Sequence, residues 1–402
     1  MSEAVDRLGT EEVARRLGVK RETVYAYVSR GLLERHPASG PHDSQFDPEE
    51  VERLAARARR PDRSSALEVV VETELTLLDP AGRLSYRGRD AIELARFRSF
   101  EEVVALLWDG APPTPWRLDD ERASAVEALS AALGPDAPDA ERIAAAVATL
   151  AACDPERDSR DPTSVRRAGA EAFAGILVVL SSRIAGASHH TTVGVAERLW
   201  VALADKGAKA RAEHVKALDA ALILLADHEL AASTFAARVA ASAWAGPYRV
   251  ILAGLGPLGG ALHGGAGAAV EALLDEVAAG ADPGAVLDAR LAAGPVPGFG
   301  HRVYRDRDPR ADHILARLIP DPALAVAGLL DAAAERGMPA PNVDFALAAL
   351  VRADGLRDGS SATIFTVARI AGIVAHALEE YEHRLRFRPR ASYVGPVPPT
   401  AP

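Results

Sequence analysis

The sequence predicts a mainly helical protein with one short β-hairpin, preceded by a small helix-turn-helix headpiece. Three observations carry this reading. The apolar residues, 49% of the chain, are rich in alanine and leucine, and aromatics make up only 5%, a balance that favours helices over sheets. From Ala91 onward the apolar residues recur at helical spacing almost without a break. The stretch 66–90 alone carries two β-prone runs, and they flank Asp79-Pro80-Ala81-Gly82, a turn signal.

At 402 residues the chain is long enough for two or three domains and a substantial core. A formal net charge of −10 argues against nonspecific binding of nucleic acid or anionic membrane by the protein as a whole. The single cysteine, Cys153, excludes an intrachain disulfide framework and suits a reducing compartment. The first residues form no apolar signal core, and no run reaches the ~18–20 uninterrupted apolar residues of a membrane span. A soluble, cytoplasmic protein without a membrane partner is expected.

Residues 10–33 hold two short amphipathic helices about a turn at Gly18, ending at Gly31. Val13, Ala14 and Leu17, then Val24, Tyr25 and Val28, supply one buried stripe each, and Thr10 with two acids suits a helix start. That is helix-turn-helix spacing, and it resembles the DNA-binding headpiece of MerR-type and excisionase-type regulators. Gln45 to Val51 resembles the start of their following helix. Residues 1–63 are neutral, with 12 basic and 12 acidic side chains, but Arg15, Arg16, Lys20, Arg21 and Arg30 against Glu22 leave one face at about +4. DNA is therefore a candidate partner through residues 10–33, and a protein-docking module is the alternative.

The basic stretch RARRPDRSS marks a boundary. It yields a headpiece at 1–60, a linker at 61–66 and a body at 67–402. Beyond the hairpin, helices are expected over 100–110, 122–151 and 168–205, with a polar loop at 153–166. His189 and His190 stand without an acid or cysteine at ligand spacing, so no metal is expected. Residues 215–243 read as one long helix in which Leu218, Leu222, Leu225 and His228 share a face.

Gly254, Gly256 and Gly259 spell a dinucleotide-binding fingerprint, but a second glycine cluster and a histidine interrupt where its helix should open. The alternative is that glycines bracket His263 at the start of a helix near Ala266, where a neutral imidazole serves as an electrophile. Downstream, PVPGFGHRVYRDRDPR (295–310) sets His301 between a stiff Gly/Pro approach and four arginines. Gly298 and Gly300 permit close backbone approach or positive φ, and the guanidinium forks match carboxylate or phosphate.

Taken together, ADHELAASTFAAR (226–238), GPLGGALHGGA (256–266), GFGHRVYRDRDPRA (298–311), NVDFALAAL (342–350), FTVARIAG (365–372) and RPRASYVGP (388–396) resemble the citrate synthase family, in the family's order. SYRGRDAIELA (85–95) resembles its amino-terminal motif. The resemblance implies a two-domain helical fold in which a small subdomain, about 268–360, closes over a large one. It also implies a catalytic set of His263, His301 and Asp344. In that reading Asp344 removes a proton from the methyl carbon of acetyl-CoA, His263 hydrogen-bonds the enolate oxygen, and His301 polarises the ketone of oxaloacetate. His228, Arg310, Arg369 and Arg388 are implied to bind oxaloacetate, Arg388 from a neighbouring subunit, so a homodimer follows. Arg305, Gly298 and Gly300 are implied to meet CoA, the CoA thioester being a substrate and no cofactor being needed.

Two positions depart from the family pattern: Ala231 and Gly267 stand where many relatives carry asparagine. They leave efficiency and substrate choice open. Three activities are therefore expected in competition: citrate synthesis from acetyl-CoA, 2-methylcitrate synthesis from propionyl-CoA, and metabolite sensing by a DNA-binding regulator.

Overall fold

The computed structural model describes residues 7–17, 19, 21–29, 33, 35–37, 44–48, 50–51, 70–79, 82–111, 116–134, 136–182, 194–205, 210–260, 266–318, 323–383 and 387–389. The chain divides into two compact units, Met1–Glu72 and Thr73–Pro402.

In the first unit β1 (Leu8–Gly9), β2 (His36–Pro37) and β3 (Ser44–Phe46) form an antiparallel sheet in the order β1-β3-β2 around α1 (Thr10–Leu17) and α2 (Arg21–Ser29). This sheet was not expected, because strands of two or three residues are too short to show a period of two. Val13, Leu17, Val24, Leu33, Phe46 and Val51 make its core, with Tyr27 and Val28 packed against them. Tyr25, expected in that stripe, is exposed; positions three and four beyond Val24, not one, share its face. Gln45 and Phe46 lie in β3, so helical backbone begins later than expected, at Pro48. Arg15 and Arg16 both pair with Glu12, which offsets part of the basic face.

The second unit opens on β4 (Thr76–Asp79), β5 (Arg83–Tyr86) and β6 (Arg89–Asp90), antiparallel in sequence order, with Leu77 opposite Ser85. Gly82 closes the first turn at φ +87°, its N–H donating to the Asp79 carbonyl at 2.8 Å. Asp90 caps α3 (Ala91–Phe97), and a reciprocal Ser99–Glu102 capping box starts α4 (Phe100–Leu107). Then follow α5 (Asp120–Leu133), α6 (Asp139–Cys153), α7 (Pro162–Ser181), α8 (Val195–Leu203), α9 (Ala212–Leu225), α10 (Ala232–Ser242) and α11 (Pro247–Leu258). The remainder is α12 (Ala266–Ala278), α13 (Pro283–Ala293), α14 (Pro309–Leu315), α15 (Ala323–Glu335), α16 (Val343–Ala353) and α17 (Ser360–His383).

Two hydrophobic cores hold this unit. The larger runs from Leu75 to Ala377 and buries α7 and α17 along most of their length. The smaller is built by Val270 and Leu273 of α12, Leu287 of α13, Leu329 of α15 and Phe345 of α16. Helix α17 is apolar enough for a membrane span, at mean hydropathy 1.5, but 83% of that window is buried inside the protein. It is a core helix. Of the fingerprint glycines Gly254 and Gly256 fall inside α11 and Gly259 is its C-cap, and a Cβ on Gly254 would stand 2.5 Å from Ile373 Cδ1, so that glycine lets α11 pack on α17. The element before α11 is the helix α10 and not a strand, so among the described residues the strand–turn–helix that the dinucleotide reading needs is not formed. His189, His190 and the linker lie outside the described residues.

The long helix expected over 215–243 is instead two, α9 and α10, separated at 226–231. Asp227, fully buried, leaves the helical path to accept from Thr76 Oγ1 at 2.6 Å and from the Glu229 N–H at 3.1 Å, and Glu229 takes φ +54°. Periodicity missed the break because both flanks carry the same alanine-rich pattern. Ala231 is the N-cap of α10 and offers no side-chain acceptor to the first turn. Ala231→Asn is therefore expected to stabilise the protein by about 1 kcal/mol, read as a raised denaturant midpoint with an unchanged m value.

Candidate active site

The break between α9 and α10 brings His228 against the loop that precedes α14. Its ring meets that of His301 edge-on at 5.4 Å, and its Nε2 lies 3.2 Å from the Tyr304 hydroxyl. Tyr304 is buried beside both rings, and Arg310 lies over its face at 5.1 Å.

His301 is oriented by its own loop. Its Nδ1 accepts from the N–H groups of Val303 at 3.1 Å and Tyr304 at 3.2 Å. A neutral ring that accepts at Nδ1 carries its proton on Nε2. Arg310 Nη2 lies 3.4 Å from that same Nε2, and two donors cannot satisfy each other, so the Nε2–H is left for a ligand. Burial, with the Arg310 charge behind it, lowers the His301 pKa to about 4, so the ring stays neutral near pH 7.

Arg310 is held as firmly. Asp308 grips it through two bonds, Nε to Oδ1 at 2.9 Å and Nη2 to Oδ2 at 2.8 Å, and both residues are buried. The same carboxylate caps α14 through the Arg310 N–H and accepts from the Val343 N–H at 3.1 Å. The Arg310 charge holds the Asp308 carboxyl below its ordinary range against the upward push of burial. Arg369 differs in kind. It is buried, Nε donates to the Leu225 carbonyl at 3.1 Å, and Nη1 is buried with no partner among the described residues. Burial lowers its pKa. A buried guanidinium with an unused N–H is a receptor for an anion.

Asp344 sits half-buried in the first turn of α16, which Asn342 caps. Burial pushes its carboxyl pKa up, with Arg310 pulling the other way. Asn342 also ties this turn to the histidine loop: its Nδ2 donates to the Gly300 carbonyl and its backbone N–H to the Gly298 carbonyl, both at 2.9 Å. Gly298 and Gly300 take φ +88° and +75°, and a Cβ on Gly298 would stand 2.7 Å from Val270. The helix that carries Asp344 and the loop that carries His301 are thus one braced assembly.

Arg305 is exposed on a shallow cleft formed with Gly300, His301, Pro339 and Asn342. A larger, apolar cavity lies between Arg160, Trp244 and Tyr381 and holds none of these groups. Arg307 spends its fork on Asp312, at 2.6 and 2.9 Å, and takes no part. Arg388 is exposed beside Phe387, which packs on Phe235 of α10 at 5.6 Å. His263 lies outside the described residues. Among the described residues no three His, Cys, Asp or Glu side chains are grouped to hold a metal ion.

The sequence reading gave no role to Asp308, Tyr304, Asn342 or Asp227. Asp308 alone carried a legible signal, an acid before a proline, which is a helix N-cap followed by its first residue. Gly267 finds its reason in the structure: a Cβ there would stand 2.3 Å from Ser361 Oγ, which is bonded to the buried Glu271. An asparagine at 267 requires Ser361 to move.

The other end of α16 supplies a pH prediction. Burial pushes the Asp354 carboxyl up to about 7, and it caps a helix C-terminus, where negative charge is unfavourable. A raised folded-state pKa means that the unfolded chain releases this proton first, so stability falls as pH rises from about 4 to about 7. Asp354→Asn is expected to add on the order of 1–3 kcal/mol at pH 8 and nothing at pH 4, measured by chemical denaturation at both.

A neutral, oriented histidine, two buried arginines and a carboxyl with raised pKa are a set able to activate a carbonyl compound bearing carboxylates. Residues 66–390 match the family model described as citrate synthase, C-terminal domain. The chain is 34% identical over 360 residues to a citrate synthase of Haloferax volcanii, covering 81% of this chain and 94% of that protein. It is 31% identical over 342 residues to 2-methylcitrate synthase 2 of Corynebacterium glutamicum, covering 78% and 88%. Its fold matches citrate synthase of Thermoplasma acidophilum, solved in ternary complex with carboxymethyl coenzyme A and oxaloacetate, at TM-score 0.67 and 28% identity over 83% of this chain and 96% of that one. The chain belongs to the citrate synthase family, and it is an acyltransferase of that type.

Proposed function

We propose that the protein condenses acetyl-CoA with oxaloacetate and hydrolyses citryl-CoA to citrate and CoA. The observation that carries this is the unused Nε2–H of His301 facing the same space as Arg310, beside an Arg369 whose Nη1 has no partner. An oxo acid with two carboxylates meets both demands: its carboxylates pair with the arginines and its ketone oxygen accepts from His301.

In this reading Asp344 takes a proton from the acetyl methyl group. A carboxylate is a weak base for such a carbon, so the upward push on its pKa and a hydrogen bond from His263 to the enolate oxygen both serve the step. The enol carbon then attacks the ketone carbon, whose oxygen is protonated through His301. Water cleaves the thioester and releases CoA thiol. His228 holds oxaloacetate with Tyr304 behind it, Arg305, Gly298 and Gly300 meet CoA, and no further cofactor is required. Arg388, exposed on its own chain, completes the site of a second copy in a homodimer. The separate core around Val270 and Phe345 supports a small subdomain, about 268–360, that closes over the large one.

Following CoA thiol release with acetyl-CoA and with propionyl-CoA, each with oxaloacetate, tests this. Faster turnover with propionyl-CoA moves the assignment to 2-methylcitrate synthesis, the activity named for the relative from Corynebacterium glutamicum. No turnover with either donor moves it to a metabolite-sensing regulator. For the headpiece, 1–60, joined by a linker at 61–66 to a body at 67–402, we propose a helix-turn-helix that contacts DNA as part of a cytoplasmic dimer. Retention on duplex DNA that falls steeply with salt supports it, and retention indifferent to salt overturns it.

A further inference from the structure

Behind Arg369 lies a buried chain of charged groups that the mechanism does not use. Asp227 Oδ2 accepts from Thr76 Oγ1 at 2.6 Å, from the Glu229 N–H and from His376 Nε2 at 3.3 Å. His376 Nδ1 in turn accepts from Arg238 Nη1 at 2.9 Å, which fixes the tautomer that donates to Asp227. Arg238, fully buried, is clamped by Glu380 at 2.8 Å and Glu379 at 2.5 Å. Three donors converge on one carboxylate oxygen while the other, Oδ1, has no partner and sits where a Cβ on Gly372 would be 2.2 Å away.

Arg369 makes no ion pair among the described residues; its only hydrogen bond runs to Leu225, two residues before Asp227. An uncompensated buried guanidinium is costly, yet a carboxylate in contact with it would occupy the N–H groups a substrate needs. We propose that Asp227 is the counter-charge of Arg369, tethered by Thr76 and His376 so that it neutralises the arginine through space without closing an ion pair on it. Burial lowers the Arg369 pKa and the Asp227 charge pushes it back up, while His376 and then Arg369 hold the Asp227 carboxyl down against its own burial. The tether thus keeps a receptor charged and open at once. This rests on Arg369 being a carboxylate receptor.

Asp227→Asn keeps an oxygen for the three donors and removes the charge, and the amide N–H₂ it places at the Oδ1 position adds a cost that is the same whatever stands at 369. Its thermal stability is expected to fall, and saturating oxaloacetate is expected to restore more of it than in the wild type, because the ligand then supplies the missing negative charge. In an Arg369→Gln background the same substitution should cost clearly less, because the part of its cost that comes from Arg369 is gone. Thr76→Val and His376→Gln loosen the tether, and each is expected to raise the KM for oxaloacetate about tenfold with kcat within about threefold, as Asp227 closes on the arginine. Adding Asp227→Asn to either should bring KM back down. A cost of Asp227→Asn that is the same with Gln at 369, or tether variants whose KM is not recovered by Asp227→Asn, overturns the proposal. If Arg369→Gln leaves the KM for oxaloacetate unchanged while coupling to Asp227 persists, the counter-charge stands and the receptor reading fails.

Discussion

Asp344→Asn is expected to lower kcat about a thousandfold while oxaloacetate binding stays within a few-fold of the wild type. The substitution is nearly isosteric, and among the described residues the Asp344 side chain makes no hydrogen bond that fixes the fold: it is the Asp344 backbone N–H that the Asn342 side chain caps. The loss therefore reports the base. A carboxylate pushed up by burial is a better match for a weak carbon acid, and the variant has no lone pair of comparable basicity to offer. Single-turnover thiol release measures the chemical step, and calorimetric titration with oxaloacetate measures binding. Turnover within tenfold of the wild type sinks the assignment of Asp344, and a large loss of oxaloacetate affinity reassigns it to substrate binding.

What the sequence made legible follows from the range of each interaction. The helical class, the β4–β5 hairpin and the helix closed by Gly110 rest on local period and turn chemistry, which neighbouring residues carry. The loop 295–310 was legible as a histidine among guanidinium forks because the residues that act are contiguous. The break at Asp227 was not, since its partners Thr76 and His376 lie 151 and 149 positions away. The sorting of the arginines was likewise hidden. Arg307 and Arg310 stand three apart in one motif, yet Arg307, in the loop before α14, is exposed on Asp312, and Arg310, in the first turn of α14, is buried on Asp308. Ala231 and Gly267 looked like equivalent losses of an amide. One proves to be an uncapped helix start and the other a space filled by Ser361.

Asp308→Ala is expected to cost about 3–5 kcal/mol of stability and to raise the KM for oxaloacetate by more than tenfold. One carboxylate there does three things for two helices: it pairs Arg310 twice, caps α14 and receives the Val343 N–H at the start of α16. Removing it strands a buried guanidinium, and the stranded charge rather than the lost attraction dominates the cost. Arg310 would then be free to swing away from its place beside His301 Nε2, 3.4 Å off, and lose its aim at the oxo acid. Asp308→Asn separates these effects. It keeps an oxygen for the α14 cap but sets an N–H₂ against Arg310, so it should retain much of the helix while losing the oxo acid. A double-mutant cycle with Arg310→Gln decides the point, with coupling of about 1.5 kcal/mol or more expected. Additive effects would mean that Asp308 serves the helix alone, and that Arg310 is aimed by some other group.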